Sequence, residues 1–175
     1  MIIRLKRTPG IYLVGFMGSG KTTIGRLLAE RIEWPFVDLD DDIEASRGMT
    51  IGEIFATLGE EEFREVERAA LEARVRRVQR GVPIILALGG GAYAQFGVPD
   101  LLAGNGVTVW LDCPLEVAAR RVASFSHRPL ARDPERFAAL YAERQSVYAR
   151  ADYHIDSSSD EPRTAVEQIL SLDLI

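Results

Sequence analysis

Gly15-Phe16-Met17-Gly18-Ser19-Gly20-Lys21-Thr22 follows the apolar run Ile11-Tyr12-Leu13-Val14 and leads into Thr22 to Ile32, where Ile24, Leu27, Leu28 and Ile32 recur at helical spacing. The pattern reads as a buried strand, a glycine-rich loop and a helix. The octapeptide satisfies G-x-x-x-x-G-K-[ST] in the strand-to-helix context that gives this spacing its meaning. Its glycines let the backbone curl so that successive N–H groups point inward at phosphate oxygens, and the following helix adds the positive end of its dipole. Gly18, Ser19, Gly20, Lys21, Thr22 and Thr23 are therefore expected to cradle the phosphates of ATP or GTP. Lys21 would bridge the outer phosphates and the Thr22 hydroxyl would ligate Mg²⁺. A turn that merely joins strand to helix would match this spacing by chance in roughly one chain in a hundred of this size or fewer.

Outward from this loop, Phe36-Val37-Asp38-Leu39 reads as a second short strand opening into Asp40-Asp41-Asp42-Ile43-Glu44, whose acids suit the first turn of a helix. Thr50-Ile51-Gly52-Glu53 has the spacing of a capping box and marks another helix start. From Glu60 to Gln79, Phe63, Val66, Ala70, Leu71, Val75 and Val78 fall at helical intervals, giving a long amphipathic helix with one charged face. Ile84 to Leu88 and Val107 to Leu111 are continuous apolar runs suited to strands buried on both faces. Pro114 stands where a helix over Leu115 to Val122 would begin. A polar, irregular stretch, approximately 123–134, is expected to form a mobile lid. Glu135 to Arg150 and Pro162 to Leu172 read as helices, with the short apolar run Tyr153-His154-Ile155 between them. Strands alternating with helices, without hairpin signals, imply a three-layer α/β/α fold around a central parallel sheet.

Composition agrees with one domain over residues 1–175. The chain has 175 residues, 47% hydrophobic and 27% charged, within the ~100 to 200 residues usual for a domain. Cys113 is the only cysteine, so no intramolecular disulfide and no cysteine-rich zinc site is available, and a reducing compartment is the simplest setting. The net charge of −5 arises from interspersed charges without basic blocks, which argues against a nucleic-acid partner. No apolar run approaches the ~18 residues of a membrane span, and the N-terminal region has no small-residue cleavage site after its apolar part. A cytoplasmic protein without a membrane partner is expected.

Two further features point to chemistry. Asp38 and Asp40, read as alternate residues at the carboxyl end of a strand, would share one side of it, where ligands of open α/β sheets bind. They suit a metal-facing carboxylate and a carboxylate for an acceptor hydroxyl, although such acids also simply favour the N-terminus of the next helix. Gly89-Gly90-Gly91 would let a ligand meet backbone directly, since no Cβ intervenes. The strand before these glycines, Ile84 to Leu88, ends without an acid, so the magnesium carboxylate must come from elsewhere, which favours Asp38.

Taken together, these residues resemble the shikimate kinases, small phosphate-loop kinases of the nucleoside-monophosphate-kinase type. The resemblance runs over nearly the whole chain. It is carried by Gly15 to Thr22 with Gly25, Asp38-x-Asp40 before Ile43-Glu44, Gly59-Glu60-x-x-Phe63-Arg64-x-x-Glu67, Leu88-Gly89-Gly90-Gly91-Ala92, Arg128-Pro129-Leu130, and Arg144 before Tyr148. It implies transfer of the γ-phosphoryl group of ATP to the 3-hydroxyl of shikimate with Mg²⁺, in the chorismate route to aromatic amino acids. By the same resemblance Asp38 is the magnesium-associated aspartate, and Asp40 binds ring hydroxyls and helps deprotonate the accepting one. Arg64 and Arg144 hold the substrate carboxylate, with Gly89, Gly90 and Gly91 against the ring and Phe55 and Phe63 lining the pocket. The substrate-binding region would span approximately 38–67. Lys21, Asp40 and Arg128 form the catalytic set, Arg128 as the lid arginine, and Arg121 lies against adenine.

Rival readings are a kinase for another polyol acid such as gluconate, a nucleoside-monophosphate kinase, and a nucleotide-sensing module without turnover. The triglycine turn and Phe63-Arg64-x-x-Glu67 speak against the first. An acceptor pocket set for one carboxylate and hydroxyls speaks against the second, and the presence of Lys21, Asp40 and the arginines against the third. A monomer acting on ATP and shikimate is the expectation.

Overall fold

The structure is a computed structural model that describes residues 9–124, 133–172 and 174. Five strands, β1 (Gly10–Val14), β2 (Phe36–Asp38), β3 (Ile84–Ala87), β4 (Val107–Asp112) and β5 (Tyr153–Asp156), form one parallel sheet in the order β2-β3-β1-β4-β5. The helices are α1 (Lys21–Ile32), α2 (Leu39–Arg47), α3 (Ile51–Gln79), α4 (Val98–Ala103), α5 (Leu115–Ala123), α6 (Pro134–Tyr148) and α7 (Pro162–Leu170). The most continuously apolar runs became the inner strands β1, β3 and β4, because only there are both faces covered.

Alternation along the strands divides the core. Ile11, Leu13, Ile85, Val109 and Leu111 pack with Ile24, Leu28, Val166 and Ile169 of α1 and α7 on one face. Tyr12, Val14, Leu86 and Trp110 pack on the other face with Ile43, Leu71, Val75, Leu102, Val122 and Phe137 of the remaining helices. Three layers result, with the carboxyl ends of all five strands along one edge.

Two local features, the entry of α2 and the presence of α4, differ from expectation. β2 stops at Asp38, and α2 begins at Leu39 because the Asp38 side chain accepts the Asp40 N–H at 3.0 Å and caps the helix. Asp38 and Asp40 therefore share a helix entry, and strand alternation is not what brings them together. The helices expected from Thr50 and from Glu60 are both present, as two segments of α3 that meet in a kink at Gly59, whose φ of 85° and ψ of 174° only glycine adopts readily. The capping box at its start is present, with both Thr50–Glu53 bonds formed. α4 was not foreseen; six residues are too few to show a helical period. The expected lid begins at the end of α5 and finishes at the start of α6, and residues 125–132, Arg128 among them, lie outside the described residues. Among the described residues no helix is long and apolar enough to cross a membrane.

Candidate active site

The glycine-rich loop leaves β1 through Gly15, Gly18 and Gly20, all with positive φ. Gly18 is also required by space, since a Cβ there would stand 2.8 Å from the Ala118 carbonyl oxygen of α5. Gly20 enters α1 in a left-handed conformation with no side chain capping the helix, which leaves its positive end open to the cleft. Lys21 Nζ folds back over the loop and donates to the carbonyl oxygens of Gly15 at 2.7 Å and Phe16 at 3.0 Å. The ammonium thus lies over the curl of backbone that the sequence assigns to phosphate.

Thr22 Oγ1 donates to Asp38 Oδ2 at 2.6 Å, while Asp38 Oδ1 takes the Asp40 N–H. One carboxylate ties the start of α1 to the start of α2. This hydroxyl and carboxylate line the cleft as hard oxygen donors, and among the described residues no cluster of three acidic, histidine or cysteine side chains could hold a metal by itself. That donor set fits Mg²⁺, which commonly takes one or two protein oxygens and completes its shell with phosphate and water.

The cleft has a volume of about 390 Å³ and is lined by Met17, Gly18, Gly20, Lys21, Thr22 and Thr23 on one side, Asp38, Asp40, Leu88, Gly89 and Gly90 at one end, and Arg121, Ser157, Ser159, Asp160 and Pro162 at the other. Arg121 organises that second end. Its guanidinium donates to the carbonyl oxygens of Gly18 (3.1 Å), Ser157 (3.0 Å), Ser158 (3.3 Å) and Ser159 (2.8 Å), pinning the segment after β5 to the phosphate loop. With its edge so occupied, the plane of the guanidinium is what remains to meet a base.

At the triglycine turn, two of the three glycines, Gly89 and Gly91, make room for charged groups. A Cβ on Gly89 would stand 2.8 Å from Asp40 Oδ1 and 3.1 Å from Glu67 Oε1, and one on Gly91 would fall 2.5 Å from Arg64 Nη2. Asp40, Arg64 and the turn are therefore brought together as the sequence anticipates. Phe55 and Phe63 meet with ring centroids 4.4 Å apart, and the Arg64 guanidinium lies 5.3 Å from the centre of the Phe63 ring. Eight residues of straight helix would separate these two phenylalanines by about 12 Å along the axis, so the kink at Gly59 is what permits the contact. Arg144 is half-buried on α6, has no ion-pair partner within 4 Å among the described residues, and acts electrostatically on Glu67.

Glu67 stands in the motif that carries the family resemblance, but the sequence alone gives it no role at the site. It is 1% exposed, and Oε2 accepts from Arg64 Nη1 at 2.7 Å and from Gln95 Nε2 at 2.6 Å. Burial holds its carboxyl above the usual range against the opposing pull of Arg64, Gln95 and Arg144. A signal existed: Phe63, Glu67, Leu71 and Val75 recur every four residues, so an acid occupies the apolar stripe of α3. Arg64 also lies 3.8 Å from Glu60, one turn before it on the exposed side of α3. Gln95 carried no comparable signal, because its place depends on a turn without regular period.

The glycine-rich loop, Asp38, Asp40, the triglycine turn and Arg64 thus lie along one strand edge. A family model described as shikimate kinase matches residues 17–173. The chain is similar to the shikimate kinase of Sulfurihydrogenibium sp., 43% identical over 162 residues that cover 92% of this chain and 95% of the relative. It is 44% identical to that of Moorella thermoacetica over 92% of each chain. Among solved structures, shikimate kinase from Acinetobacter baumannii in complex with shikimate superposes with a TM-score of 0.88 at 36% identity, over 97% of this chain and 94% of that one. With more than nine-tenths of its length matched in this way, the chain belongs to the shikimate kinase family.

Proposed function

We propose that this ATP-dependent kinase transfers the γ-phosphoryl group to the 3-hydroxyl of shikimate, using Lys21, Asp40 and Arg128 as its catalytic groups and Arg64 and Arg144 as its carboxylate clamp. The observation that carries the reading is the convergence of Asp40 and Arg64 on the glycine turn at one end of a cleft whose other wall is the phosphate loop. A related enzyme of the same fold is known in complex with shikimate, which supports the choice of acceptor.

Phosphoryl transfer asks for an aligned acceptor oxygen and positive charge around the spreading negative charge, with little covalent work by the protein. The amides of Gly18, Ser19, Gly20, Lys21, Thr22 and Thr23 and the Lys21 ammonium hold the phosphates. Arg121 meets the base. Arg64 offers a planar fork to a carboxylate, and Arg144, without an ion-pair partner among the described residues, supplies a second. A ring acid gripped at that end presents its hydroxyls to Asp40, which accepts the proton of the attacking one as the oxygen–phosphorus bond forms and ADP leaves. Phe55 and Phe63 cover the ring face, while Gly89, Gly90 and Gly91 supply backbone to it. Mg²⁺ held by Thr22 and Asp38 would neutralise charge on the phosphates. Arg128, by the family resemblance, would add positive charge at the transferred group.

A monomer in the cytoplasm, serving aromatic amino acid synthesis, belongs to the same proposal. ADP release from MgATP, measured with shikimate and with gluconate and AMP as controls, tests it. Shikimate-dependent turnover that is lost in Asp40→Asn is the expected result, and equal turnover with gluconate would overturn the acceptor assignment.

A further inference from the structure

Tyr148 is wholly buried at the end of α6, and its hydroxyl donates to the carbonyl oxygen of Gly90 at 2.6 Å. The bond is unusual within its turn. The carbonyl oxygens of Gly89, Gly91 and Ala92 are each taken by the amide three residues further on, from Ala92, Ala94 and Gln95. Gly90 is the exception in that series, and a side chain from a distant helix takes its carbonyl instead.

The consequence follows from peptide geometry. In a trans planar unit the C=O and the N–H point in opposite directions. Holding the Gly90 oxygen toward the interior therefore turns the Gly91 N–H away from Tyr148, on a residue whose neighbour is the Arg64 guanidinium. That N–H has no acceptor among the described residues. Glycines at 89–91 have no side chain to fix this orientation and would otherwise sample several. Burial also pushes the Tyr148 hydroxyl well above the usual phenol range, which keeps it a donor at any working pH.

We propose that Tyr148 is a positioning residue for the acceptor: by fixing the Gly90 carbonyl from the core it aims the Gly91 amide at the acceptor end of the cleft. The ring alone does not explain a tyrosine here, since phenylalanine would pack equally well beside Trp110, whose ring centre lies 6.2 Å away. Tyr148 also stands one helical turn after Arg144 on α6, so the helix that presents the second carboxylate fork sets the backbone turn beneath the ring as well. The inference rests on the shikimate reading given above.

Tyr148→Phe tests it, because the ring is retained and only the hydroxyl is lost. KM for shikimate is expected to rise about tenfold, the effect of one misaimed hydrogen bond, while KM for ATP stays within about twofold. In amide NMR spectra, the Gly91 resonance of the parent should move on adding shikimate and that of the variant should move much less. Unchanged shikimate KM in the variant would overturn the proposal while leaving the shikimate reading intact. Parallel rises in both KM values together with a lowered Tm would overturn it too, by reducing Tyr148 to a packing role. Absence of shikimate turnover in the parent chain would remove both readings.

Discussion

Arg64 donates to Glu67 at 2.7 Å, one turn along the same helix, from a guanidinium that leaves no space for a side chain at Gly91. The pair fixes a long, flexible cation in one rotamer before any ligand arrives, which lowers the entropy lost when a carboxylate binds. Glu67→Gln keeps the shape and removes the charge. Shikimate KM is expected to rise about tenfold, with ATP KM unchanged, in steady-state assays varying each substrate in turn.

The same substitution should change the pH dependence of stability in a defined direction. Glu67 has its carboxyl raised from the ordinary value of 4.5, chiefly by burial. A raised folded-state pKa favours the folded protein at low pH; that contribution is whole below the unfolded value and lost as pH climbs through the folded one. Glutamine cannot ionise. Glu67→Gln is therefore expected to gain stability relative to the parent between about pH 4 and pH 7, read from urea midpoints at the two pH values. A variant that keeps a constant stability difference from the parent, or loses ground to it, over that range would show that burial does not raise the Glu67 carboxyl.

Gly89 is sterically, not conformationally, required. Its Cβ would displace the Asp40 carboxylate, the group assigned to the accepting hydroxyl. A misplacement on the order of 1 Å costs about a hundredfold in rate, so Gly89→Ala is expected to lower kcat by that factor with little change in Tm. Gly104→Ala is the control: the nearest atom to its Cβ is 3.7 Å away and its φ is −76°. It should leave kcat unchanged.

The contrast between these residues shows where sequence is informative. The phosphate loop, the parallel sheet and the boundaries of α1, α5 and α7 are local matters of period, glycine and proline, and all were legible. Asp38 and Asp40 were placed at the site for an incomplete reason, because the choice between continuing β2 and starting α2 is made by a cap that one side chain supplies. Glu67 was legible in principle, as an acid on an apolar stripe, yet only its partners Arg64 and Gln95 explain why it is tolerated there. The Tyr148–Gly90 bond joins residues 58 positions apart, and no local pattern encodes it.

Gly59 links stability to the pocket. Its Cβ would meet nothing within 4 Å, so the cost of Gly59→Ala is backbone strain alone. At this φ and ψ that cost is about 1–3 kcal/mol, measurable as a drop in the urea midpoint. Straightening the helix to escape the strain would part Phe55 from Phe63, so a raised shikimate KM is expected alongside.

Arg121 makes the sharpest distinction between charge and geometry. Its two terminal nitrogens reach Gly18 on the phosphate loop and Ser157, Ser158 and Ser159 beyond β5, so the guanidinium fork spans both walls of the nucleotide end. A lysine ammonium carries the same charge at one point and cannot bridge them. Arg121→Lys and Arg121→Ala are therefore both expected to raise KM for ATP, by about tenfold or more, with shikimate KM little altered. Full rescue by lysine would mean that Arg121 acts through its charge on the phosphates; failure of both variants, with faster amide exchange at 157–160, would establish it as the strut that holds the base-facing wall against the phosphate loop.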